Sequence, residues 1–284
     1  MTAVATKKSK ANCESEYAKL DQVLVCEPSY MEIKEVINHV QKKYEHQNIN
    51  KRRAQQQHLD FTKVLEQNGV TVIDLGAKRE FPEQVFTRDI GFVIGENIFV
   101  SKMASDIRKG EEKVLENLLQ NHDLKYNKLH ANKIEGGDVI VDGDIVFIGM
   151  GNRTCLEATR ELQKKLPNHS IIPLSFDPKY LHLDCLFNIL SSEVALIYPE
   201  AFDQATLENL EKRYQLVEVS SDEQFSLGTN VLSIGNNKVI SQPQNTKVNQ
   251  SIRSLGFEVI EVDFSEIIKS GGSFRCCSMP LKRI

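Results

Sequence analysis

The sequence predicts an α/β fold in which a strand–strand–helix–strand unit is repeated about five times around a common axis, like the blades of a propeller. Two observations predict this architecture. Short apolar runs broken by turn residues recur along the chain, and each is followed by a helical pattern and then by another short strand. The units recur roughly every 40–50 residues, a spacing typical of propellers and arrays. An ordinary α/β sheet with hairpin insertions is the alternative, and the unbroken order of hairpin and helix favours the repeat.

Four β-hairpins are the first elements of these units. Each consists of two strands rich in β-branched residues, joined by a turn that reads GEN, DGD, SSE or GNN. Asp-Gly and Gly-Asn are strong hairpin signals, because these residues adopt the positive φ angles that tight turns between strands require. The four predicted hairpins span Gly91–Met103, Asp138–Met150, Leu186–Pro199 and Asn230–Gln242.

A helix and a further strand follow each hairpin. After the first hairpin, Val114, Leu115, Leu118 and Leu119 recur at the spacing that places them on one helical face. The predicted helices span Arg108–Asn121, Thr154–Lys165, Phe202–Tyr214 and Thr246–Leu255. The short strands that follow include Ser170–Pro173 and Glu258–Asp263.

The beginning of the chain supplies part of a fifth unit, which the C-terminal tail completes. Its apolar strand is Lys19–Glu27, its helical region lies within Tyr30–Gly69, and its next strand is Val70–Leu75. No linker interrupts the chain, so residues 1–284 are expected to form one domain, with residues 1–15 or so as a flexible tail. In a cyclic array the strand ends converge at the central axis, so motifs at those ends are expected to share one pocket.

The composition argues against a nucleic-acid or membrane role. The formal net charge is −4, and the basic clusters Lys7–Lys10 and Lys51–Arg53 are not interleaved with the aromatic residues that single-strand binding uses. The polar start, Met1–Leu20, lacks the apolar core of a secretory signal. No apolar run reaches the roughly 18 residues that a membrane span requires. The chain is therefore expected to be cytoplasmic.

The thiols are the first candidates for chemistry. The six cysteines form neither CxxC pairs nor a Cys/His cluster with zinc-finger spacing. In the reducing cytosol an isolated cysteine is more often a core residue or a catalyst than half of a disulfide. Cys276 follows paired glycines in Ser270–Pro280 (SGGSFRCCSMP), and such glycines let the backbone approach a small substrate closely. A buried core residue is the alternative for this thiol.

A histidine and an acid alternate in the segment YLHLDC. Strand alternation places His182 and Asp184 on the same face. Such a pair suits a proton-transfer residue beside a carboxylate that binds a cation. A hydrogen-bonded, half-buried histidine is the alternative.

Further acids and arginines precede or follow the hairpins. Glu135 opens the segment EGGD, and Glu83 and Asp89 lie in FPEQVFTRD before the first hairpin. Arg108 and Arg153 can bind a carboxylate with a forked geometry, although a surface arginine is the alternative for each. Together with the thiol and the histidine, these residues indicate an amino-acid-like cationic substrate. The acids would hold its cation and the arginines its carboxylate.

Taken in order, the motifs FxRD, EGGD, HLD and GGxxRCxSMPL resemble the guanidino-modifying enzymes, namely dimethylarginine dimethylaminohydrolase, arginine deiminase and the amidinotransferases. The resemblance has specific motifs from about Phe81 onward and rests on pattern alone before that residue. The order of four motifs is more specific than any one of them. The resemblance implies a five-bladed ββαβ propeller, the pentein fold, which agrees with the repeat predicted above.

The resemblance implies roles for eight residues of this chain. Cys276 resembles the nucleophile, His182 the general acid and base, and Glu135 the carboxylate that binds the guanidinium and orients the site. The residues that resemble substrate-binding groups are Asp89 and Asp184 on the guanidinium, Glu83 at the mouth of the site, and Arg108 and Arg153 on the substrate carboxylate.

The implied activity is that of a cysteine hydrolase acting on carbon–nitrogen bonds of linear amidines. It would attack the guanidinium carbon of arginine or an N-substituted arginine, form an amidino-thioether on Cys276, and release citrulline or a similar ureido product plus an amine. Asp184 departs from the HLK of dimethylarginine hydrolases and resembles the deiminases and amidinotransferases, which therefore stay as alternatives. The chain length is closer to the dimethylarginine hydrolases, because arginine deiminases carry an added helical domain.

The resemblance implies a small guanidino substrate and neither a metal nor an organic cofactor. A non-catalytic binding protein on the same fold is a distant alternative, since it predicts loss of the thiol, histidine and acids that are all present here. The sequence does not fix the oligomeric state, and a homo-oligomer is compatible with it.

Overall fold

Five three-stranded sheets make up the computed structural model, which describes residues 11–130 and 133–284. In each described sheet one pair of neighbouring strands is antiparallel and the other is parallel. The strands are β1 (Leu20–Val25), β2 (Thr71–Asp74), β3 (Gly91–Ile94), β4 (Asn97–Val100), β5 (Tyr126–Lys128), β6 (Val139–Asp142), β7 (Ile145–Gly149), β8 (Ser170–Leu174), β9 (Phe187–Ile189), β10 (Val194–Ile197), β11 (Gln215–Glu218), β12 (Leu232–Gly235), β13 (Lys238–Ser241), β14 (Glu258–Glu261) and β15 (Met279–Arg283).

Helices connect the middle strand of each sheet to its parallel neighbour. Parallel neighbours require such a crossover, whereas the antiparallel pair needs only a tight turn. The α-helices in the described part of the chain are α1 (His39–Tyr44), α2 (Lys51–Gln67), α3 (Glu111–Asn121), α4 (Leu156–Lys165), α5 (Gln204–Glu211), α6 (Ser221–Phe225) and α7 (Thr246–Ser254).

The β6–β7–α4–β8 unit shows the repeated order. Val141 in β6 lies opposite Val146 in β7, and β7 then pairs in parallel with β8. The same order recurs in β3–β5, β9–β11 and β12–β14. The predicted five-bladed ββαβ architecture is confirmed.

The fifth sheet joins the two ends of the described chain. Its order is β15–β1–β2, so that Leu24 lies between Met279 on one side and Ile73 on the other. The prediction that the C-terminal tail completes a unit begun near the N-terminus is confirmed. This pairing closes the ring of sheets.

Burial separates inner from outer strands. Every residue of β3, β9 and β12 is buried, because these short strands are almost wholly apolar. The last strand of each unit, such as β11 or β14, is partly exposed instead. The first strand of each hairpin therefore lines the centre, and chemistry-bearing residues just before these strands face the axis.

Three aromatic rings anchor the segment that leads to Cys276. The rings of Phe264 and Phe274 stack with centroids 4.3 Å apart, and Phe61 of α2 lies 5.4 Å from each. All three are fully buried, and burial of one such side chain stabilises a fold by about 1.5–3 kcal/mol. The loop before β15 is therefore held by the core and not only by its own backbone.

The predicted flexible tail is wrong for its last residues. Cys13 forms backbone hydrogen bonds with Gly95, and Ser15 bridges Asp142. These contacts join two different sheets, and alternate side chains of the segment are buried. Residues 1–10, which carry the rest of that prediction, lie outside the described residues. Within the described ranges, the structure contains no helix whose length and apolar character would let it cross a membrane.

Candidate active site

A polar or nucleophilic side chain lies just before each of the five inner strands. Each of these side chains belongs to a residue that is at most 1% exposed. They are Asp89 before β3, Asp138 before β6, Asp184 before β9, Asn230 before β12 and Cys276 before β15. The repeat therefore brings together one group from each unit, although they are far apart in sequence.

Cys276 contacts two of these groups. Its Sγ lies 3.1 Å from Asn230 Nδ2 and 3.5 Å from Asp184 Oδ2. The backbone N–H groups of Cys276 and Ser273 both donate to Asn230 Oδ1, at 3.1 Å each. Asn230 therefore fixes both the backbone of the loop and the sulfur of the nucleophile candidate.

The paired glycines of this loop permit close packing. Gly271 has φ of +95°, a conformation that other residues rarely adopt, and it packs against Asn38. A side chain at Gly272 would begin 2.4 Å from the Phe86 ring and 3.0 Å from Cys276 Cβ. The positive φ expected of the paired glycines is present at Gly271, and access of a small substrate to Cys276 stays a prediction.

His182 is completely buried between two carboxylates. Its Nε2 lies 2.7 Å from Glu135 Oε2 and its Nδ1 lies 3.5 Å from Asp89 Oδ1. Burial alone lowers the pKa of His182, but the charges of Asp89 and Glu135 outweigh it and raise the pKa to about 10. The imidazole is therefore protonated at neutral pH.

Glu135 is held in its ionised form. Besides His182, its carboxylate accepts the Ala104 N–H at 2.8 Å and lies 3.6 Å from Arg153 Nη1. Burial alone raises the pKa of Glu135, but the His182 hydrogen bond and the neighbouring cations lower it to about 2. His182 and Glu135 therefore form a charged pair away from water.

The glycines of EGGD make room for this pair. A Cβ at Gly137 would lie 2.7 Å from the His182 ring and 2.8 Å from Asp89 Oδ1. A Cβ at Gly136 would lie 2.1 Å from the backbone oxygen of Arg88. Any side chain at either position would displace the histidine or the FxRD segment.

The predicted strand through His182 and Asp184 is wrong. His182 is extended, but Leu183–Cys185 forms a 3-10 turn. The reason is Asp138, whose Oδ1 accepts the Leu183 N–H at 2.9 Å and draws this backbone inward. Both His182 and Asp184 are nevertheless fully buried at the centre of the ring.

Asp184 connects the thiol to a buried ionic network. Arg275 donates to Asp184 at 2.7 Å and to Glu16 at 3.0 Å, and Arg88 lies 3.4 Å from the other Glu16 oxygen. Burial alone raises the pKa of Glu16, but Arg275, Arg88 and Arg283 together lower it to about 2. Glu16 is therefore the shared counter-charge of three buried arginines.

Arg108 has a different position from the one expected of a substrate-carboxylate ligand. It ends a 3-10 turn before α3 and is 1% exposed. Its nitrogens donate to Asp89 Oδ2 at 2.5 Å and to Glu111 Oε2 at 2.8 and 3.1 Å. A substrate carboxylate would have to replace these ion pairs, so the geometry favours Arg108 as a partner that orients Asp89.

Arg153 is better placed to bind a carboxylate. Its Nη2 donates to the backbone oxygen of Ile37 at 3.0 Å, and its Nη1 makes no hydrogen bond with any described residue. Arg153 is 8% exposed, slightly more than the other predicted site residues. It therefore lies between Glu135 and the segment that covers the site.

The sequence predicted Glu83 at the mouth of the site. In the structure Glu83 is buried instead, with only 2% of its surface exposed. Its carboxylate accepts hydrogen bonds from Gln41 at 2.7 Å and from Ser270 at 3.0 Å. Burial is the main reason that its pKa is raised, to about 7. Gln41 lies on α1, so Glu83 ties that helix to the loop before Cys276.

Residues 28–50, which include α1 and are here called the cover, contact both Arg153 and the loop before Cys276. Asn38 caps α1 by accepting the Gln41 N–H at 2.9 Å, and its side-chain nitrogen donates to the backbone oxygen of Ser270 at 3.0 Å. With Arg153 bonded to Ile37, the cover is attached on two sides. The predicted catalytic residues Cys276, His182 and Glu135 are at most 1% exposed.

Sequence reasoning did not identify three residues of this site: Asn230, Arg275 and Glu16. Asn230 was recognisable, since it opens the fourth hairpin at the position that Asp89 and Asp138 occupy in other units. Arg275 directly precedes the thiol within the quoted motif. No local pattern singles out Glu16, whose role depends on contacts with distant residues.

Two groups of three side chains in the described residues have potential metal-ligand atoms within 4.8 Å of one another. The groups are Asp89, Glu135 and His182, and Asp184, Cys185 and Cys276. In the first group a metal ion would have to displace the proton of a histidine whose pKa is raised to about 10. The expectation that no metal or organic cofactor is needed stays a prediction.

Comparison with known families and proteins places this geometry in context. The family model described as "N,N dimethylarginine dimethylhydrolase, eukaryotic" matches residues 27–283. The uncharacterized protein YkgA of Bacillus subtilis (strain 168) is 49% identical over 274 residues, which cover 96% of both chains. The N(G),N(G)-dimethylarginine dimethylaminohydrolase of Mycobacterium tuberculosis is 29% identical over 202 residues, which cover 70% of this chain and 66% of that enzyme.

A solved structure supports the fold. The product-bound N-terminal domain of ArgZ, an arginine dihydrolase from the ornithine–ammonia cycle in cyanobacteria, superposes with a TM-score of 0.85. The match covers 93% of this chain and 98% of that domain at 24% sequence identity. The family model, which matches most of the chain, shows that the protein belongs to the N,N dimethylarginine dimethylhydrolase family, and its fold is that of the pentein superfamily.

Proposed function

We propose that this protein is a cysteine hydrolase that acts on the guanidinium carbon of arginine or an N-substituted arginine. The observation that carries the proposal is a set of buried polar atoms without a hydrogen bond to any described residue, namely Asp89 Oδ1, His182 Nδ1 and Arg153 Nη1. Asp89 Oδ1 and His182 Nδ1 face each other at 3.5 Å and Arg153 Nη1 lies 3.6 Å from Glu135, so each atom keeps hydrogen-bonding capacity for a ligand. Asp89 and Arg153 were predicted from sequence as substrate-binding residues and His182 as a catalytic one, and a cationic amino acid offers partners for an acid and for an arginine.

The carboxylates would bind the guanidinium group. Asp89 has one oxygen held by Arg108, which leaves Oδ1 for a substrate N–H. Asp184 has Oδ2 held by Arg275, and its carboxylate lies 3.5–3.7 Å from the Cys276 sulfur. A guanidinium bound to both acids would lie beside that sulfur. Arg153 would then hold the substrate carboxylate under the cover.

The reaction begins with attack of the Cys276 thiolate on the planar guanidinium carbon. The Asn230 N–H, 3.1 Å from the sulfur, stabilises the thiolate, and so does the cationic substrate. His182 protonates the departing amine, and an amidino-thioether remains on Cys276. Neutral His182 then takes a proton from water, which attacks the same carbon and releases the ureido product.

Substrate entry requires the cover to open. The predicted nucleophile, acid and carboxylate are buried, and the cover is attached by Arg153, Asn38 and Gln41. Closure over the substrate would exclude bulk water and strengthen every charge interaction within. The water of the second step would enter after the amine has left.

A substrate panel tests the proposal. Purified protein is incubated with arginine, monomethylarginine, dimethylarginine and a guanidine that lacks the α-carboxylate, and the ureido product and the released amine are both measured. We expect turnover of at least one arginine-type substrate and little of the truncated guanidine, which cannot use Arg153. Ammonia from arginine would identify a deiminase-like preference, consistent with Asp184, whereas a methylated amine would identify the dimethylarginine activity. Absence of any ureido product across the panel would contradict the hydrolase proposal, and transfer to an added amine would replace it with an amidinotransferase.

The pH profile should respond to Glu135. His182 must be protonated to act as the acid, and the carboxylates around it raise its pKa to about 10. Glu135→Gln removes one of these charges, so the pKa falls towards the ordinary 6.5 and the alkaline limb of kcat/KM moves to lower pH. The matched control is Glu157→Gln, which alters a side chain exposed on α4 and should leave the limb in place. If the alkaline limb lies at the same pH in Glu135→Gln and Glu157→Gln, His182 is not the general acid.

A further inference from the structure

Cys185 lies beside the proposed nucleophile, and the proposed reaction does not use it. Its Sγ is 3.5 Å from Asp184 Oδ1, and Cys276 Sγ is 3.7 Å from the same oxygen. The two sulfurs lie within 4.8 Å of each other, and the two residues are 3% and 1% exposed. The structure therefore contains two thiols in one buried pocket that share a carboxylate.

We propose that Cys185 is a resolving thiol, which forms a reversible disulfide with Cys276 when a hydroperoxide oxidises the nucleophile. The inference rests on the proposed function only in taking Cys276 as the reactive thiolate. A disulfide requires the sulfurs to approach to about 2 Å. Because each sulfur is one bond beyond its Cβ, rotation of the two side chains is the motion by which the sulfurs would close this distance.

The neighbouring Cys277 is a poorer partner for Cys276. Consecutive Cα atoms are about 3.8 Å apart, which is below the roughly 4.4–6.8 Å that disulfides span, so a bond between adjacent cysteines is strained. Cys185 belongs to a different unit of the fold, before β9, and approaches Cys276 across the centre of the ring. The geometry therefore selects Cys185.

The chemistry proceeds in two balanced steps. The Cys276 thiolate attacks the hydroperoxide ROOH, the O–O bond breaks, and with one proton the products are the sulfenic acid Cys276–SOH and ROH. Cys185 then attacks this sulfur, the S–O bond breaks, and the disulfide and water are formed. Its proton passes to Asp184, which lies 3.5 Å away, and from there to the departing hydroxide. The two electrons that reduce the peroxide come from the two thiols.

The protonation state of Cys185 fits its role as the second thiol to react. The hydrogen bond to Cys276 is the main reason that the pKa of Cys185 is raised above its ordinary value, and burial adds to it. Cys185 is therefore held as a neutral thiol until it meets the sulfenic acid on Cys276. The disulfide would also protect Cys276 from the sulfinic acid, which thiols do not reduce.

The test uses the intact, reduced protein and limiting hydrogen peroxide. After free thiols are alkylated, a non-reducing digest is analysed by mass spectrometry. We expect a peptide pair joined through Cys185 and Cys276, lighter by two hydrogens than the sum of its parts, which dithiothreitol separates. A bound arginine-type substrate should slow its formation, because it occupies the space beside Cys276.

Matched variants separate the two neighbouring thiols. Cys277→Ala should still form the disulfide between Cys185 and Cys276. In Cys185→Ser, or in Cys185→Ala as a second choice, Cys276 should be found as sulfinic acid. Dithiothreitol should then no longer restore the free thiol of Cys276. Two results in the protein without substitutions would overturn the inference, whether or not the variants fold. One is sulfinic acid on Cys276 together with Cys185 alkylated as a free thiol. The other is a disulfide between Cys276 and Cys277. The link is read without turnover, so its formation in a protein that turns over no guanidino compound would contradict only the proposed function.

Discussion

Cys276→Ser is expected to lower kcat by about 10⁴-fold or more, the loss typical of an enzyme deprived of its nucleophile. An alcohol ionises far less readily than a thiol. Asn230 can still donate to the serine oxygen, so the loop should keep its conformation.

The measurement combines kinetics with trapping. Rapidly quenched protein should carry an amidino adduct on Cys276, seen by mass spectrometry, and Cys276→Ser should carry none. Cys277→Ala is the matched control, since burial raises the pKa of Cys277 above its ordinary value and keeps that thiol protonated. An adduct on another residue, or wild-type kcat in Cys276→Ser, would exclude Cys276 as the nucleophile.

Glu16→Ala is expected to lower the free energy of unfolding by about 3–5 kcal/mol, the range found when one partner of a buried ion pair is removed. Glu16 lies between Arg88 and Arg275, and Arg283 is close enough to lower its pKa. Without this carboxylate, the three buried guanidinium groups lose a shared negative charge, and the repulsion between them is less well balanced. Since Arg275 also holds Asp184, activity should fall with stability.

Glu14→Ala is the matched control for this prediction. Glu14 lies two residues earlier on the same segment, carries the same charge and is exposed, so its loss should change stability by no more than about 0.5 kcal/mol. Denaturant titration of the two variants beside the parent protein gives the comparison. Equal midpoints for Glu16→Ala and Glu14→Ala would show that the arginines do not depend on Glu16.

The stability from Glu16 should also depend on pH. Its folded-state pKa is depressed from 4.5 to about 2, so the contribution is fully present above pH 4.5 and is lost as the pH falls towards 2. At about 1.4 kcal/mol for each unit of pKa, the contribution is about 3 kcal/mol. The stability difference between the parent and Glu16→Gln should therefore narrow across this window. A constant difference from pH 5 to pH 2 would contradict the ion-pair account.

The fold was predictable because its pattern is local and repeated. Turns such as Asp-Gly beside β6 and apolar spacing in α3 are visible within a dozen residues, and the four hairpins all appear in the structure. The pairing of β15 with β1 was also predictable, since the first and last patterns each lacked a partner. The 3-10 turn at Asp184 could not be predicted from the local pattern. It depends on a hydrogen bond to the side chain of Asp138, which belongs to another unit.

The site was predictable where side chains follow motifs and less so where they depend on neighbours. Cys276, His182, Glu135 and Asp184 all lie at the centre of the ring, as expected from their order in the chain. Arg108 is engaged by Glu111, a partner three residues away that was not recognised. Coverage by α1 was equally invisible, because nothing in that short helix indicates which face it protects.

Closure of the ring has a consequence for how the protein acquires its chemistry. Leu24 pairs with Met279, a residue near the opposite end of the chain. Long-range pairings carry a high entropic cost and form slowly, so this contact is expected late in folding. Cys276 lies directly before that strand, and its partners Asn230 and Asp184 belong to other units. The surroundings of the proposed nucleophile are therefore complete only when the last sheet closes, and a partly folded chain would lack them.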